Sequence, residues 1–170
     1  MRRITVILVA AAAIAIAAAA IAIASSSSSS SSATIRLRST SLGKIVVDAK
    51  GHTLYLFQKD HNGQSACSGA CARNWPPLTV NGKPKAGSGV KASRLGTTKR
   101  ADGRTQVTYG GHPLYTFVVD ARKPGSVKGE GVEAFGAEWY VVGANGRKVE
   151  KASGSSTTTT KPAAPAPYGY

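Results

Sequence analysis

Apolar and polar residues alternate with a period near two through the interior of the chain, and a helical period of 3.6 is not sustained between residues 34 and 152. Glycine, aspartate and asparagine interrupt the alternation about every ten residues. Short alternating runs separated by turn-forming residues are typical of antiparallel strands. The pattern therefore predicts an all-β fold, as a small antiparallel meander, a sandwich or a partly closed barrel.

Three pairs of apolar runs lie close enough in sequence to form β-hairpins. Gly110-Gly111 separates the second pair and Asn145-Gly146 separates the third. Glycine readily adopts the positive φ that two-residue hairpin turns require. The predicted pairs are 45–48 with 53–57, 105–109 with 113–118, and 139–142 with 147–149.

The run Leu54-Tyr55-Leu56-Phe57 is apolar at every position. Tyr55 and Phe57 point to one side of a strand, and Leu54 and Leu56 point to the other. Two apolar faces indicate a strand covered on both sides, so we expect this strand to be central. The corresponding run near residue 115 has Thr116 in place of Leu56, and we expect it to show one face to solvent.

Residues 51–60 recur as residues 111–120, which predicts a duplication with repeats at about 42–78 and 95–142. Both copies contain the motif Tyr-x-Phe-x-x-Asp. We expect the tyrosines and phenylalanines to lie in the core, because aromatic side chains bury large areas. A carboxylate just after a strand usually accepts backbone amides in a turn. The motif residues are Tyr55, Phe57 and Asp60 in the first copy, and Tyr115, Phe117 and Asp120 in the second.

The two ends of the chain have compositions that differ from the interior. Arg2 and Arg3 precede an apolar run that ends at residue 24, which predicts a signal peptide or an N-terminal membrane anchor, with cleavage favoured by Ala22-Ile23-Ala24. Serine dominates the next segment, and Thr, Pro and Ala dominate the last. The predicted organisation is export segment 1–24, Ser-rich linker 25–33, two-repeat all-β domain 34–152 and disordered tail 153–170.

The chain is strongly basic, with 22 Lys and Arg residues against 8 Asp and Glu residues and a formal net charge of +14. Loss of Arg2 and Arg3 with a signal peptide would leave +12. Outside the cytoplasmic membrane, such a charge attracts anionic lipid head groups, teichoic acids or nucleic acid without sequence specificity. The alternative is that the scattered lysines and arginines only keep the protein soluble. The sequence leaves the oligomeric state open.

Cys67 and Cys71 are the only cysteines, separated by Ser-Gly-Ala. An exported chain with an even cysteine count favours a structural disulfide between them. Two alternatives stay open: a redox-active pair, or a soft-metal site for an ion such as copper with a histidine as third ligand. The candidate histidines are His52, His61 and His112.

His52 and His112 occupy matching positions beside the first two turns, which suggests either turn chemistry or a pair of ligands. Trp75 precedes Pro76-Pro77, so its backbone is held extended. A tryptophan on a stiff segment can either fill the core or contact a partner. We expect Trp75 to fill the core because Trp139 lies near the corresponding place in the second repeat, and we keep Trp75 as a candidate binding residue.

The two Tyr-x-Phe-x-x-Asp motifs, together with Cys67-x-x-x-Cys71-Ala-x-x-Trp75-Pro-Pro-Leu, resemble the bacterial family known as secreted repeats of unknown function, which are envelope lipoproteins. The resemblance implies a secreted or envelope-associated protein, and it implies no particular activity. Members of that family often carry a lipid-modified cysteine after the export segment. This sequence has no cysteine there, so we expect no lipid anchor at that position.

No nucleophile elbow, zinc-protease helix, phosphate-binding loop or EF-hand loop is found in the sequence. We therefore expect a non-catalytic envelope protein without a cofactor, acting as a binding or structural module with a cationic surface. Two alternatives are a metal-handling or electron-transfer accessory protein that uses Cys67 and Cys71, and an enzyme of unrecognised type.

Overall fold

A computed structural model describes residues 32–149 of the protein. The predicted all-β class is confirmed, since nine strands dominate and the described residues form no closed barrel. The helical elements are α1 (Gly69–Asn74) and two 3-10 turns, Ala92–Arg94 and Val118–Asp120. The strands are β1 (Thr34–Thr40), β2 (Gly43–Asp48), β3 (Tyr55–Phe57), β4 (Lys85–Ala86), β5 (Leu95–Lys99), β6 (Thr105–Tyr109), β7 (His112–Pro113), β8 (Val132–Ala134) and β9 (Ala137–Val141).

The strands form three sheets of three strands each, in the orders β2-β1-β4, β3-β9-β8 and β5-β6-β7. Every pairing is antiparallel except the short parallel pairing of β1 with β4. Neighbours in sequence pair as hairpins in β1-β2, β5-β6-β7 and β8-β9. The sheet containing β3 differs, because β3 pairs with a strand that lies more than eighty residues later.

The hairpin predicted around Gly110-Gly111 is present, with Thr108 opposite Pro113 and Tyr109 opposite His112. Both glycines have positive φ, at 61° and 86°, as a two-residue turn requires. The other two predicted hairpins are shorter than expected. Each is a bridge of one residue pair, Val47 with Thr53 and Val142 with Lys148, because the chain then turns to pair elsewhere.

Several elements were not predicted, including β1, which precedes the predicted first repeat, and β5, which begins the second. In β1, buried Ile35 and half-buried Leu37 alternate with exposed Arg36 and Arg38, so a period of two was present in the sequence. Helix α1 has six residues, which is too short for a helical period to be seen.

Each repeat has a motif strand, residues 54–57 or 114–117, and a closing segment, residues 75–78 or 139–142. The motif strand of one repeat pairs with the closing segment of the other. Tyr55 lies opposite Val141 and Tyr115 lies opposite Pro77. The matching amide bonds run from Val142 N to Leu54 O at 3.0 Å and from Leu78 N to Leu114 O at 2.9 Å. The repeats are therefore interlocked.

The two motif strands meet at Tyr55 and Tyr115, which exchange backbone hydrogen bonds of 2.8 and 3.0 Å. An approximate two-fold axis passes through this pair. The side chains follow the same exchange: the Tyr55 hydroxyl donates to Asp120 Oδ2 at 2.7 Å, and the Tyr115 hydroxyl donates to Asp60 Oδ2 at 2.8 Å. Each motif tyrosine thus bonds the motif aspartate of the other repeat.

Four parallel rings stack across the axis, and we call them the aromatic column. Phe57 stacks on Trp139 with centroids 4.0 Å apart, and Trp139 stacks on Trp75 at 4.0 Å. Trp75 then stacks on Phe117 at 3.9 Å. Stacked aromatic pairs contribute about 0.5–1.5 kcal/mol each beyond the area they bury. The column therefore joins both repeats through side chains as well as backbone.

The motif strand of the first repeat is central, as its alternation predicted. Tyr55 and Phe57 belong to the core cluster that contains the aromatic column. Leu54 and Leu56 belong to a second cluster on the opposite face. All four side chains are buried, so residues 54–57 separate two cores.

The export segment 1–24, the Ser-rich linker up to residue 31 and the tail 153–170 lie outside the described residues. Within residues 32–149, no helix has the length and apolar character needed to cross a membrane.

The exchanged Tyr–Asp bonds differ in burial, and we expect Tyr55→Phe to destabilise the fold more than Tyr115→Phe. Asp120 is 5% exposed, so loss of the Tyr55 hydroxyl leaves a buried carboxylate oxygen unpaired. Such a loss costs about 1.5–3 kcal/mol. Asp60 is half-buried and can bond water instead, so about 1 kcal/mol is expected for Tyr115→Phe.

Urea unfolding followed by tryptophan fluorescence at pH 7 measures both variants against the wild type. Equal losses, or a larger loss for Tyr115→Phe, would show that burial of Asp120 does not govern this bond.

Candidate binding cleft

The two ends of the aromatic column differ in exposure. Phe57, at one end, is 1% exposed and follows Leu56, which is also buried. Phe117, at the other end, is half-buried and follows Thr116 instead of a leucine. The two-fold relation between the repeats is therefore broken at Phe117.

A cleft of ≈ 490 Å³ lies at the Phe117 end of the column. Its volume falls within the range of about 300–1,000 Å³ that is usual for small-molecule sites. Apolar, polar and charged side chains all contribute to its wall. The cleft is lined by His52, Thr53, Pro76, Thr116, Phe117, Val118, Asp120, Ala121 and Arg122.

Asp120 lies in the cleft wall, but its carboxylate is already occupied by the fold. In addition to the Tyr55 hydroxyl, it accepts hydrogen bonds from Ser126 Oγ at 2.7 Å and Lys128 N at 3.0 Å. Burial raises the pKa of the Tyr55 hydroxyl, and the hydrogen bond from Tyr55 to Asp120 raises it further. Tyr55 therefore stays a neutral donor. Asp120 therefore holds the following loop in place rather than contacting a ligand.

Arg122 reaches the cleft through an unusual backbone path. The 3-10 turn ending at Asp120 is followed by Ala121 and Arg122, with φ of 49° and 58°. Left-handed conformations cost non-glycine residues about 1–2 kcal/mol each. Lys123 N donates to Asp120 O at 2.8 Å and helps to hold this conformation. The fold thus maintains strain at the residues that place a guanidinium at the cleft.

His52 also lines the cleft, and a turn around Asp48 fixes its position. Nδ1 of His52 lies 2.8 Å from Asp48 Oδ2. The other carboxylate oxygen of Asp48 accepts the backbone amides of Lys50 and His52, each at 2.8 Å. The turn chemistry expected at this histidine is therefore present, and it also orients the imidazole at the cleft.

Two further arginines lie near Gly51, the residue before His52, and together with Arg122 we call them the cationic rim. Arg36 and Arg38 project from the exposed face of β1. A Cβ placed on Gly51 would lie 3.4 Å from Nη1 of Arg38 and 3.6 Å from Nη2 of Arg36. Gly51 precedes His52 in the chain, and its carbonyl accepts the amide of Gly125 at 3.0 Å. Arg36 and Arg38 therefore lie near the point where the loop that carries His52 meets the loop that follows Arg122.

The two rim arginines on β1, Arg36 and Arg38, have no cationic counterparts at the equivalent positions of β5. Val46 and Val107 occupy equivalent positions, because their carbonyls accept the amides of Leu54 and Leu114. Val47, opposite Arg36, therefore corresponds to Thr108, which lies opposite Gly96 on β5. By the same register, Thr98 stands where the first repeat has Arg38. At these two positions β1 therefore carries two cations, on the side of the Phe117 end of the column. The equivalent positions of β5 carry none.

The described residues contain eighteen Lys and Arg against seven Asp and Glu, a difference of +11. Few of these carboxylates neutralise a cation. Asp102 pairs with Arg100 at 3.3 Å and with Arg104 at 2.7 Å, whereas Asp60 and Asp120 bond tyrosine hydroxyls and backbone amides. Within residues 32–149, no carboxylate forms an ion pair with Arg36, Arg38 or Arg122.

The disulfide favoured by the sequence is present between Cys67 and Cys71. It closes the first turn of α1, and its sulfurs are buried in the core beside the aromatic column. Both thiols are consumed in this bond, so neither is available as a thiolate metal ligand in this state. The two cysteines therefore anchor the loop that leads to Trp75.

Arg100 ties the disulfide loop to the second repeat, a role that no sequence motif indicates. This side chain is 8% exposed. Its Nη2 donates to Cys67 O at 2.6 Å, and its Nη1 donates to Gln106 Oε1 at 2.6 Å and Ser65 Oγ at 2.7 Å. A second cleft of ≈ 520 Å³ adjoins it, lined in part by Arg73 and Arg104. Because Arg100 donates to four partners within the domain, including Asp102, it acts as a structural cation.

The structure does not gather the candidate metal ligands. His52 bonds Asp48, His61 is exposed in a loop opposite Gln64, and His112 lies in β7 opposite Tyr109, where burial lowers its pKa. Within residues 32–149, no group of three or more His, Cys, Asp or Glu side chains is arranged to hold a metal ion.

Trp75 is 1% exposed, with both of its faces covered by Trp139 and Phe117. The structure places it in the core, as the preferred interpretation had it. The alternative, in which Trp75 itself contacts a partner, does not agree with this burial. The aromatic ring that a partner can reach here is Phe117, which the sequence assigned to the core.

Comparison with known proteins agrees with the duplication. The sequence model of a family described as a secreted repeat of unknown function matches residues 37–79 and 96–143. These matches cover both motif strands and both closing segments. No curated protein and no solved structure matches the chain.

Burial raises the pKa of Asp60 to about 6, although hydrogen bonds from the Ala66 amide and the Tyr115 hydroxyl oppose the shift. A carboxyl with a raised pKa in the folded state binds more protons than the unfolded chain between about pH 4 and pH 6. Its contribution to stability is therefore largest at low pH and is lost as the pH rises to 6. We expect the unfolding free energy of wild type minus that of Asp60→Asn to fall across this interval and then level off.

Urea unfolding at a series of pH values measures this difference directly. A difference that stays constant or increases from pH 4 to pH 6 would contradict a raised pKa at Asp60.

Proposed function

Since the chain belongs to the family of secreted repeats of unknown function, we propose that it is an exported, non-catalytic module that binds anionic polymers of the cell envelope through its cationic rim. The apolar segment 1–24 supports export, as does the family description. The proposed binding site is defined by Arg36, Arg38 and Arg122, with the adjoining cleft.

The observation that carries the proposal is the absence of carboxylate partners for the rim within residues 32–149. Carboxylates that could neutralise arginines instead bond tyrosine hydroxyls and backbone amides in the interlocked core. The positive charge is therefore left available to an external anion. A solvated surface that serves only solubility would not need two guanidinium groups placed together near Gly51.

The geometry of the rim suits a linear polymer. Residues two apart on a strand project from the same face at a spacing of about 7 Å, so Arg36 and Arg38 form a short row. Guanidinium groups make two parallel hydrogen bonds to carboxylate or phosphate, and they retain their charge at any relevant pH. A polymer that repeats an anionic group at a similar spacing can contact both arginines at once.

We expect Arg36→Ser/Arg38→Ser to lose most of its binding to isolated cell wall in cosedimentation at 0.1 M salt. The matched control is Lys91→Ser/Arg94→Ser, which removes two exposed cations from the segment just before β5. Because the control lowers the net charge equally, it separates the rim from charge in general. Wall stripped of its anionic polymers serves as the negative substrate.

Salt dependence tests the electrostatic origin of the same binding. The Debye length falls from about 10 Å at 0.1 M salt to about 3 Å at 1 M, so attraction by exposed charges should be lost over this range. Equal losses in the rim variant and its control would refute a localised rim. Undiminished wild-type binding at 1 M salt would refute an electrostatic attachment.

A further inference from the structure

We propose that the cleft at the Phe117 end of the aromatic column is a subsite for a single sugar ring that carries a carboxylate or a phosphate. The inference deepens the proposed function and rests on it, since the ring would be one unit of the anionic polymer held by the cationic rim. It specifies the ligand by an apolar ring face, an anionic substituent and hydroxyl groups.

The ring face is recognised by Phe117. Trp75 covers one face of Phe117 with centroids 3.9 Å apart and planes 12° apart, and Tyr55 meets the same ring edge-on at 6.2 Å. Phe117 nevertheless remains partly exposed and lines the cleft. Its orientation is therefore fixed before a ligand arrives, and a stacking ligand does not have to immobilise it.

The anionic substituent is recognised by Arg122, which lines the same cleft and has no carboxylate partner within residues 32–149. His52 lines the same cleft and is held by the Asp48 turn. The only carboxylate among the lining residues, Asp120, is occupied by Tyr55, Ser126 and the Lys128 amide. The cleft therefore combines an aromatic face with a cation and no free anion. This combination favours a charged ring over a neutral one.

The wall also contains a hydroxyl that lacks a partner. Thr53 is 1% exposed, and its Oγ1 has no hydrogen-bond partner among the described residues. An unpaired buried polar atom costs about 1–3 kcal/mol, which is recovered if a ligand or an ordered water supplies the missing bond. A sugar hydroxyl has the donor and acceptor capacity to do so.

A sugar unit is favoured over nucleic acid by the number of aromatic surfaces. Proteins that hold single-stranded nucleic acid stack successive bases on several aromatic side chains. Among the residues lining this cleft, Phe117 is the only aromatic carbocycle. At the opposite end of the column, Phe57 and Leu56 are buried, so the column offers one such subsite within residues 32–149.

The test titrates the full-length exported protein with glucuronate, glucose 6-phosphate, glucose and inorganic phosphate, followed by two-dimensional NMR. We expect the two anionic sugars to shift the resonances of Thr116, Phe117 and Arg122, with one site per chain. Glucose alone and phosphate alone should bind at least about tenfold more weakly, because each lacks one of the two recognised features.

Variants assign the two contacts. Phe117→Leu keeps an apolar side chain without a ring, and Phe57→Leu makes the same change at the closed end of the column. Arg122→Asn removes the charge with a residue that tolerates positive φ. We expect Phe117→Leu and Arg122→Asn each to weaken anionic-sugar binding about tenfold or more, and Phe57→Leu to leave it unchanged. If Phe117→Leu does not fold, transfer of saturation from the wild-type Phe117 ring to the sugar replaces it.

Several results would overturn the subsite. The first two are equal binding of glucose and glucuronate, and phosphate binding as strong as that of glucose 6-phosphate. The others are NMR shifts confined to residues outside the cleft, and displacement of the sugar by an oligonucleotide at a concentration below that of the sugar. Loss of wall binding in Arg36→Ser/Arg38→Ser without any sugar binding would remove the subsite and leave the proposed function standing. Sugar binding without wall binding would remove the proposed function alone.

Discussion

The structure depends on the antiparallel contact between Tyr55 and Tyr115, the point at which the two repeats cross. Their backbones exchange two hydrogen bonds, and their hydroxyls bond the motif aspartates of the opposite repeats. The closing segments add Trp75 and Trp139 to this crossing, where they stack against each other. Neither repeat can complete its motif strand or its share of the aromatic column without the other.

The candidate site arises where this symmetry is broken. Thr116 replaces the buried Leu56, and Arg36 and Arg38 stand where the second repeat has Gly96 and Thr98. These differences expose one end of the column and surround it with cations, while the other end stays packed. Residues 32–149 contain eleven more cations than carboxylates, and two of those carboxylates, Asp60 and Asp120, bond tyrosine hydroxyls. The fold therefore leaves a cationic face unneutralised.

Local features of the fold were predictable from the sequence. The paired glycines at 110 and 111 signalled their turn, the alternation at 54–57 signalled a central strand, and the repeated motif signalled the duplication. The crossed partners of the motif aspartates were not predictable, since the bonded residues lie 65 and 55 positions apart. Arg36 and Arg38 looked like part of a scattered charge, and only the tertiary fold brings Arg38 against Gly125, in the loop that follows Arg122.

Separate production of the two halves tests the interlocked architecture most directly. Residues 32–90 and 91–149 would be expressed as individual chains and then mixed in equal amounts, with NMR dispersion and tryptophan fluorescence followed throughout. Interlocking predicts that each half is unfolded alone and that mixing produces one folded 1:1 complex with both tryptophans buried. A folded structure in either half by itself would contradict the account.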